Sequence, residues 1–91
     1  MIKLKWVKCR YSIESNKPDY LIWNCLLNGI LMGYIEYGYE AGRGKNTYYC
    51  YFGDKLIKKG IKTLKLAKEL VEDECRQWIY KIQGVIIKNG L

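Results

Sequence analysis

The sequence predicts an α+β domain, a twisted antiparallel sheet of about four strands with one long C-terminal helix packed on one face. Three observations carry that prediction. Asn28-Gly29 separates two apolar runs, which is the strongest short-range hairpin signal because a type I′ turn needs positive φ at both central residues. Residues with strand periodicity fill the first half of the chain, and one stripe of helical periodicity starts at Leu64. With 91 residues the chain is read as one domain, 1–91, able to bury one modest core.

Residues 2–13 alternate, but the phase slips once: Ile2, Leu4 and Trp6 share one parity, and Val7, Cys9, Tyr11 and Ile13 the other. A bulge at Trp6-Val7 would restore it, putting the apolar set on the core and Lys3, Lys5, Lys8 and Arg10 together on the opposite face. Residues 14–19 then read as a turn. The hairpin strands span 20–27 and 30–37, in a register that puts Trp23 opposite Tyr34 and Ile22 opposite Ile35. Both of its faces are apolar, so one helix covers only one of them. Leu21, Trp23, Cys25, Leu27, Ile30, Met32 and Tyr34 are expected under the helix. Tyr20, Ile22, Leu26, Leu31, Ile35 and Tyr37 are left to a partner, a second copy or the C-terminal tail.

A glycine-rich loop, residues 38–46, leads into a strand at 47–52. A short basic connection follows, with room for a short strand at Leu56-Ile57. Thr63 reads as the N-cap of a helix over about 64–83, closed by Gly84 at C′. Leu64, Ala67, Leu70, Val71, Cys75, Trp78, Ile79 and Ile82 form its core stripe, and Val85-Ile86-Ile87-Lys88 is read as an added edge strand.

Composition narrows the function classes. There is no histidine, so acid-base catalysis would fall to carboxylates or a perturbed cysteine, and Glu36 is the one candidate acid in a strand. The expectation is that the chain is not an enzyme and takes no cofactor and no metal. Cys9, Cys25, Cys50 and Cys75 lie 16, 25 and 25 residues apart in apolar contexts, without a C-x-x-C pair, and read as reduced, buried small hydrophobes. The net charge of +7 favours nucleic acid or an acidic surface as partner, by attraction that salt would screen. A cation at every second position of the N-terminus and the lack of an apolar run near 18 residues give the expectation of a cytoplasmic protein without a membrane partner.

The densest chemical signal is aromatic. Residues 34–52 hold six of the nine tyrosines and the only phenylalanine, around a loop with Arg43 and Lys45. Tyrosine supplies flat area and a hydroxyl at small entropic cost, which suits gripping a partner. Gly44-Lys45 fails as a phosphate-binding loop, since Tyr39 stands where the first glycine belongs and a strand follows instead of a helix. Arg43-Gly44 with the following tyrosines has the wrong spacing for the base-stacking strand of an RNA-recognition domain.

Lys59-Gly60-Ile61-Lys62-Thr63-Leu64-Lys65-Leu66-Ala67 resembles the G-F-x-T-x-x-x-A segment of the small DNA-binding modules at the N-terminus of tyrosine recombinases. The leading tryptophan and the Gly29 to Ile35 hairpin also look like those of short phage and prophage proteins. This resemblance implies a mobile-element origin and a sheet with one packed helix, in the format of phage-encoded inhibitors of host defence such as anti-CRISPR proteins. The expected function is a phage-type accessory protein that docks on a host protein or nucleoprotein complex and blocks it. Its working residues would be Arg43 and Lys45 with Tyr34, Tyr37, Tyr39, Tyr48, Tyr49 and Tyr51. One alternative is direct DNA or RNA binding through Lys3, Lys5, Lys8 and Arg10, and another is a structural homodimer.

Overall fold

In the computed structural model, which describes residues 3–11, 20–40, 42 and 44–88, five strands precede one helix. They are β1 (Leu4–Tyr11), β2 (Tyr20–Leu27), β3 (Ile30–Glu40), β4 (Lys45–Phe52), β5 (Lys55–Ile61) and α1 (Leu64–Lys88). The strands form a single antiparallel meander in the order β1-β2-β3-β4-β5. The basic connection expected after residue 52 is therefore a full fifth strand. Gly53 and Gly60, both at positive φ, serve the turn before it and a kink near its end. The expected turn at 14–19, the strand ends at Ile2 and Ile13, and Arg43 lie outside the described residues.

The Asn28-Gly29 turn forms as expected, with φ of 51° and 80°, and Leu27 pairs Ile30 and Leu26 pairs Leu31. The register then shifts. Cys25 pairs Gly33 rather than Met32, so Met32 is an extra residue in β3, and its carbonyl accepts the Gly53 N–H at 2.8 Å. From this bulge to Tyr37 the β3 side chains are on the face opposite to the one expected. Ile35 stands opposite Trp23 and is fully buried, Tyr37 packs against the core, and Tyr34 turns away from the helix. Ile30, expected under the helix, is 66% exposed at the hairpin end.

The expected bulge in β1 does not form. Its pairing with β2 is continuous from Leu4 with Leu27 to Tyr11 with Tyr20, so Leu4, Trp6 and Lys8 share the helix side with Leu27, Cys25 and Trp23. Lys5, Val7 and Cys9 occupy the other side. The four cations therefore do not make one face: Lys8 Nζ lies 5.7 Å over the Trp23 ring, on the side away from Lys5.

The core lies between the sheet and α1, centred on Trp23, Cys25, Met32, Ile35, Cys50 and Ile61 from the strands and Ala67, Val71 and Cys75 from the helix. Thr63 caps the helix as expected, its Oγ1 accepting the Leu66 N–H at 3.2 Å. Trp6 ties the edge strand to α1, donating from Nε1 to Glu72 Oε2 at 3.3 Å beneath Lys68 Nζ. The helix runs on through Gly84 to Lys88, so Gly84 is no cap and Val85 to Lys88 form no strand. Trp78, placed in the expected core stripe, is 43% exposed, its ring 6.3 Å from that of Phe52, while the neighbouring Ile79 is buried. Among the described residues no helix is long and apolar enough to cross a membrane.

Candidate docking face

The sheet face turned away from α1 follows from the registers. Side chains alternate along each strand, so the pairs Ile22 with Glu36, Asn24 with Tyr34, Tyr34 with Tyr51, and Glu36 with Tyr49 all point to it. No described element crosses this face. Leu31, paired with Leu26 near the hairpin turn, is 52% exposed.

At its centre Tyr34 and Tyr51 stack across β3 and β4, with ring centroids 4.5 Å apart and planes 10° from parallel. Glu36 is two residues along β3 from Tyr34, half-buried, and accepts a hydrogen bond from the Tyr51 hydroxyl. Burial holds the Tyr51 phenol above its ordinary value, and the nearby Glu36 carboxylate, the other two tyrosines and this hydrogen bond push it the same way. Tyr34 is raised as well, by burial first and then by the negative charges of Glu36 and Asp54. In a chain of net charge +7 the middle of this face is thus locally acidic and aromatic.

The expected tyrosine surface is divided by the β3 bulge. Tyr34, Tyr49 and Tyr51 share the open face, whereas Tyr37 and Tyr48 lie on the helix side, 4.6 Å apart, with Tyr48 5.8 Å from Trp23. Burial raises the Tyr48 phenol, with Tyr37 adding to it. Lys45 is exposed at the start of β4, while Tyr39 and Arg10 are placed as strand positions only. Glu36, the one candidate acid in a strand, joins the tyrosines on this face because Gly33 marks a bulge, which an isolated glycine inside a strand signals.

Open grooves flank the body. One of about 660 Å³ is lined by Lys3, Leu4, Lys5, Trp6, Leu26, Asn28 and Gly29. Another of about 430 Å³ runs between the end of β4, the start of β5 and Trp78. The cysteines are free thiols; Cys25, Cys50 and Cys75 are buried and Cys9 is half-buried. Cys25 is pushed far above the ordinary thiol range by its hydrogen bond to Cys75 and by burial, so it behaves as a core group and not as a nucleophile. Among the described residues no three acidic, cysteine or histidine side chains gather as a metal site would require.

Comparison of the chain with protein-family models, curated proteins and solved structures finds no match in any of the three.

Proposed function

We propose that the chain is a non-catalytic docking module whose sheet face turned away from α1 holds a protein surface, alone or within a nucleoprotein complex, and acts by occupying it. The observation that carries this reading is the Tyr34–Tyr51 stack, set beside Glu36 and Ile22 on a face that no described element covers. Half-buried aromatics framed by aliphatic side chains are the usual composition of an interface centre. The phage-type accessory or inhibitor role implied by the Lys59 to Ala67 resemblance belongs to the same proposal. Direct nucleic-acid binding is less favoured, because Lys5 and Lys8 point to opposite sides of the sheet and the open face carries Glu36 where phosphates would lie.

The test is affinity capture from lysate, with and without nuclease, comparing the parent chain with Leu31→Asp, Tyr34→Ala and, on the solvent face of α1, Lys65→Glu. The expected result is a captured protein that survives nuclease, is lost with the two open-face variants and is kept with Lys65→Glu. Capture abolished by nuclease would move the assignment to nucleic acid. Sedimentation of the purified chain as a dimer that Leu31→Asp dissociates would show that the face is covered by a second copy.

A further inference from the structure

The groove of about 430 Å³ between the start of β5 and α1 takes its apolar lining from three elements: Phe52 of β4, Leu56 and Ile57 of β5, and Trp78 of α1. Phe52 and Trp78 meet with ring centroids 6.3 Å apart and planes 56° from parallel, so together they form a corner and not a flat platform. Leu56 and Trp78 are each 43% exposed. A single exposed aliphatic side chain needs no explanation. An exposed tryptophan and leucine that line one concavity with a phenylalanine and an isoleucine are different, because a large apolar side chain entering there would take all four out of water at once. Tryptophan in such a setting is a favoured interface anchor.

The polar rim fixes the sign of the occupant. Lys55 and Lys81 line the groove against one acid, Glu74, and Lys58 and Lys59 follow along β5. All four lysines are exposed. The ion pairs among the described residues lie elsewhere, at Arg76 with Glu72 and Asp73, so these ammonium groups are open to an incoming carboxylate. Gln77, also in the lining, adds an amide that can donate to one. A cationic occupant would meet an excess of like charge. A nucleic acid would find a tilted corner with aliphatic walls where its bases stack best on a flat ring.

We propose that the groove between β5 and α1 is a second docking site, taking an acidic peptide segment that seats one large apolar side chain against Phe52, Leu56 and Trp78 and sets its carboxylates against Lys55 and Lys81. The site stands apart from the docking reading above: Trp78, Gln77 and Lys81 belong to α1, on the other side of the sheet from Tyr34, and Leu56, paired with Tyr51, lies at the edge where the two surfaces meet.

It can be tested without a natural partner. The acidic peptide N-acetyl-DDFDD-amide would be titrated at low salt into isotopically labelled protein, following the indole N–H resonances of the three tryptophans, with Trp78 assigned through Trp78→Phe. N-acetyl-NNFNN-amide, N-acetyl-DDADD-amide and a short oligothymidylate serve as comparisons. The expected result is a saturable shift of Trp78 while Trp6 and Trp23 stay in place, weaker by about fivefold or more with the neutral peptide, as loss of two exposed ion pairs implies, and weaker again with the alanine peptide. Lys55→Glu and Lys81→Glu should weaken binding, whereas Lys65→Glu, an equal change of charge on the solvent face of α1, should leave it. Leu56→Asp should remove the response while the remaining spectrum stays folded. An absent shift, an equal response to the neutral or alanine peptide or to the oligonucleotide, or an equal loss in Lys65→Glu would overturn the assignment. Loss of the Trp78 shift in Tyr34→Ala would place the peptide on the open face, and the groove falls. If Trp78 does not respond while Leu31→Asp and Tyr34→Ala still abolish capture, the groove falls and the docking face stands.

Discussion

Gly33 of β3 lies so close beneath Val71 of α1 that a β-carbon on it would stand 3.0 Å from the Val71 Cγ1 methyl, and it would also run into the Tyr51 carbonyl. The methyl could shift, but the carbonyl belongs to the sheet ladder and cannot. Gly33→Ala should therefore cost about 1–3 kcal/mol, the range for overpacking a filled core. A lowered urea midpoint with an unchanged m-value would report it. Parent-like stability would mean that the helix does not press on the sheet at this point.

The same bulge decides which hairpin residues hold the domain together. Trp23 and Ile35 pair directly and both are buried, whereas Leu31 is half in solvent. Ile35→Asp puts a charge into a site with no partner and should leave the purified chain unfolded by circular dichroism. Trp23→Ala should cost about 3–5 kcal/mol. Leu31→Asp should change stability by less than about 0.5 kcal/mol, which makes it usable as an interface variant. An Ile35→Asp chain that folds normally would return β3 to the unbulged register.

The hairpin turn, the helix start and the side of β2 that packs inward were legible in the sequence because each rests on local chemistry: positive φ at Asn28-Gly29, the Thr63 cap, and the bulk of Trp23 and Cys25. The faces of β1 and β3 were not. Alternation slips at Trp6-Val7 and predicts a bulge there, but the edge strand instead keeps a continuous register and carries Lys8 over Trp23, an aliphatic stem and cation that the helix side tolerates at its rim. The real bulge is at Met32, where both alternatives look equally apolar and only the helix above Gly33 decides between them. One misplaced residue there exchanged Tyr34 with Ile35, and with them half of the candidate site.

Stability should decline in alkali over a defined window. The Cys50 thiol is fully buried, and burial raises it from an ordinary 9.0 to about 11, against a small opposing effect from Lys58. Between those values the unfolded chain has lost the proton that the folded chain keeps. The contribution is therefore complete below about pH 9 and is lost as pH rises through about 11. Tyr34, Tyr48 and Tyr51, all raised above 10.0, add the same sign at the upper end. Urea midpoints measured across this window should fall steadily, and Cys50→Ala, though less stable throughout, should show a shallower decline. An equal slope in the two proteins would assign the loss to the raised Cys25 thiol and the tyrosines.

Gly84 separates two accounts of how the helix ends. As a cap at C′ it would sit at positive φ, and alanine there would be strained and destabilising. It lies instead inside α1, is exposed, does not have positive φ, and a β-carbon on it would meet nothing within 4 Å. Glycine at such a site only adds freedom to the unfolded chain and removes helix propensity. Gly84→Ala should therefore raise stability by about 0.5–1 kcal/mol, read as a higher urea midpoint together with stronger helical ellipticity. The gain has a limit set by fraying: after Ile79, the last buried side chain described in α1, residues 80–84 are exposed, with Tyr80 at 72%, and a terminal turn that opens part of the time returns only part of the propensity difference. A loss of stability in Gly84→Ala would show that the chain leaves the helix at this residue after all, and would put Val85 to Lys88 back in contention as a strand.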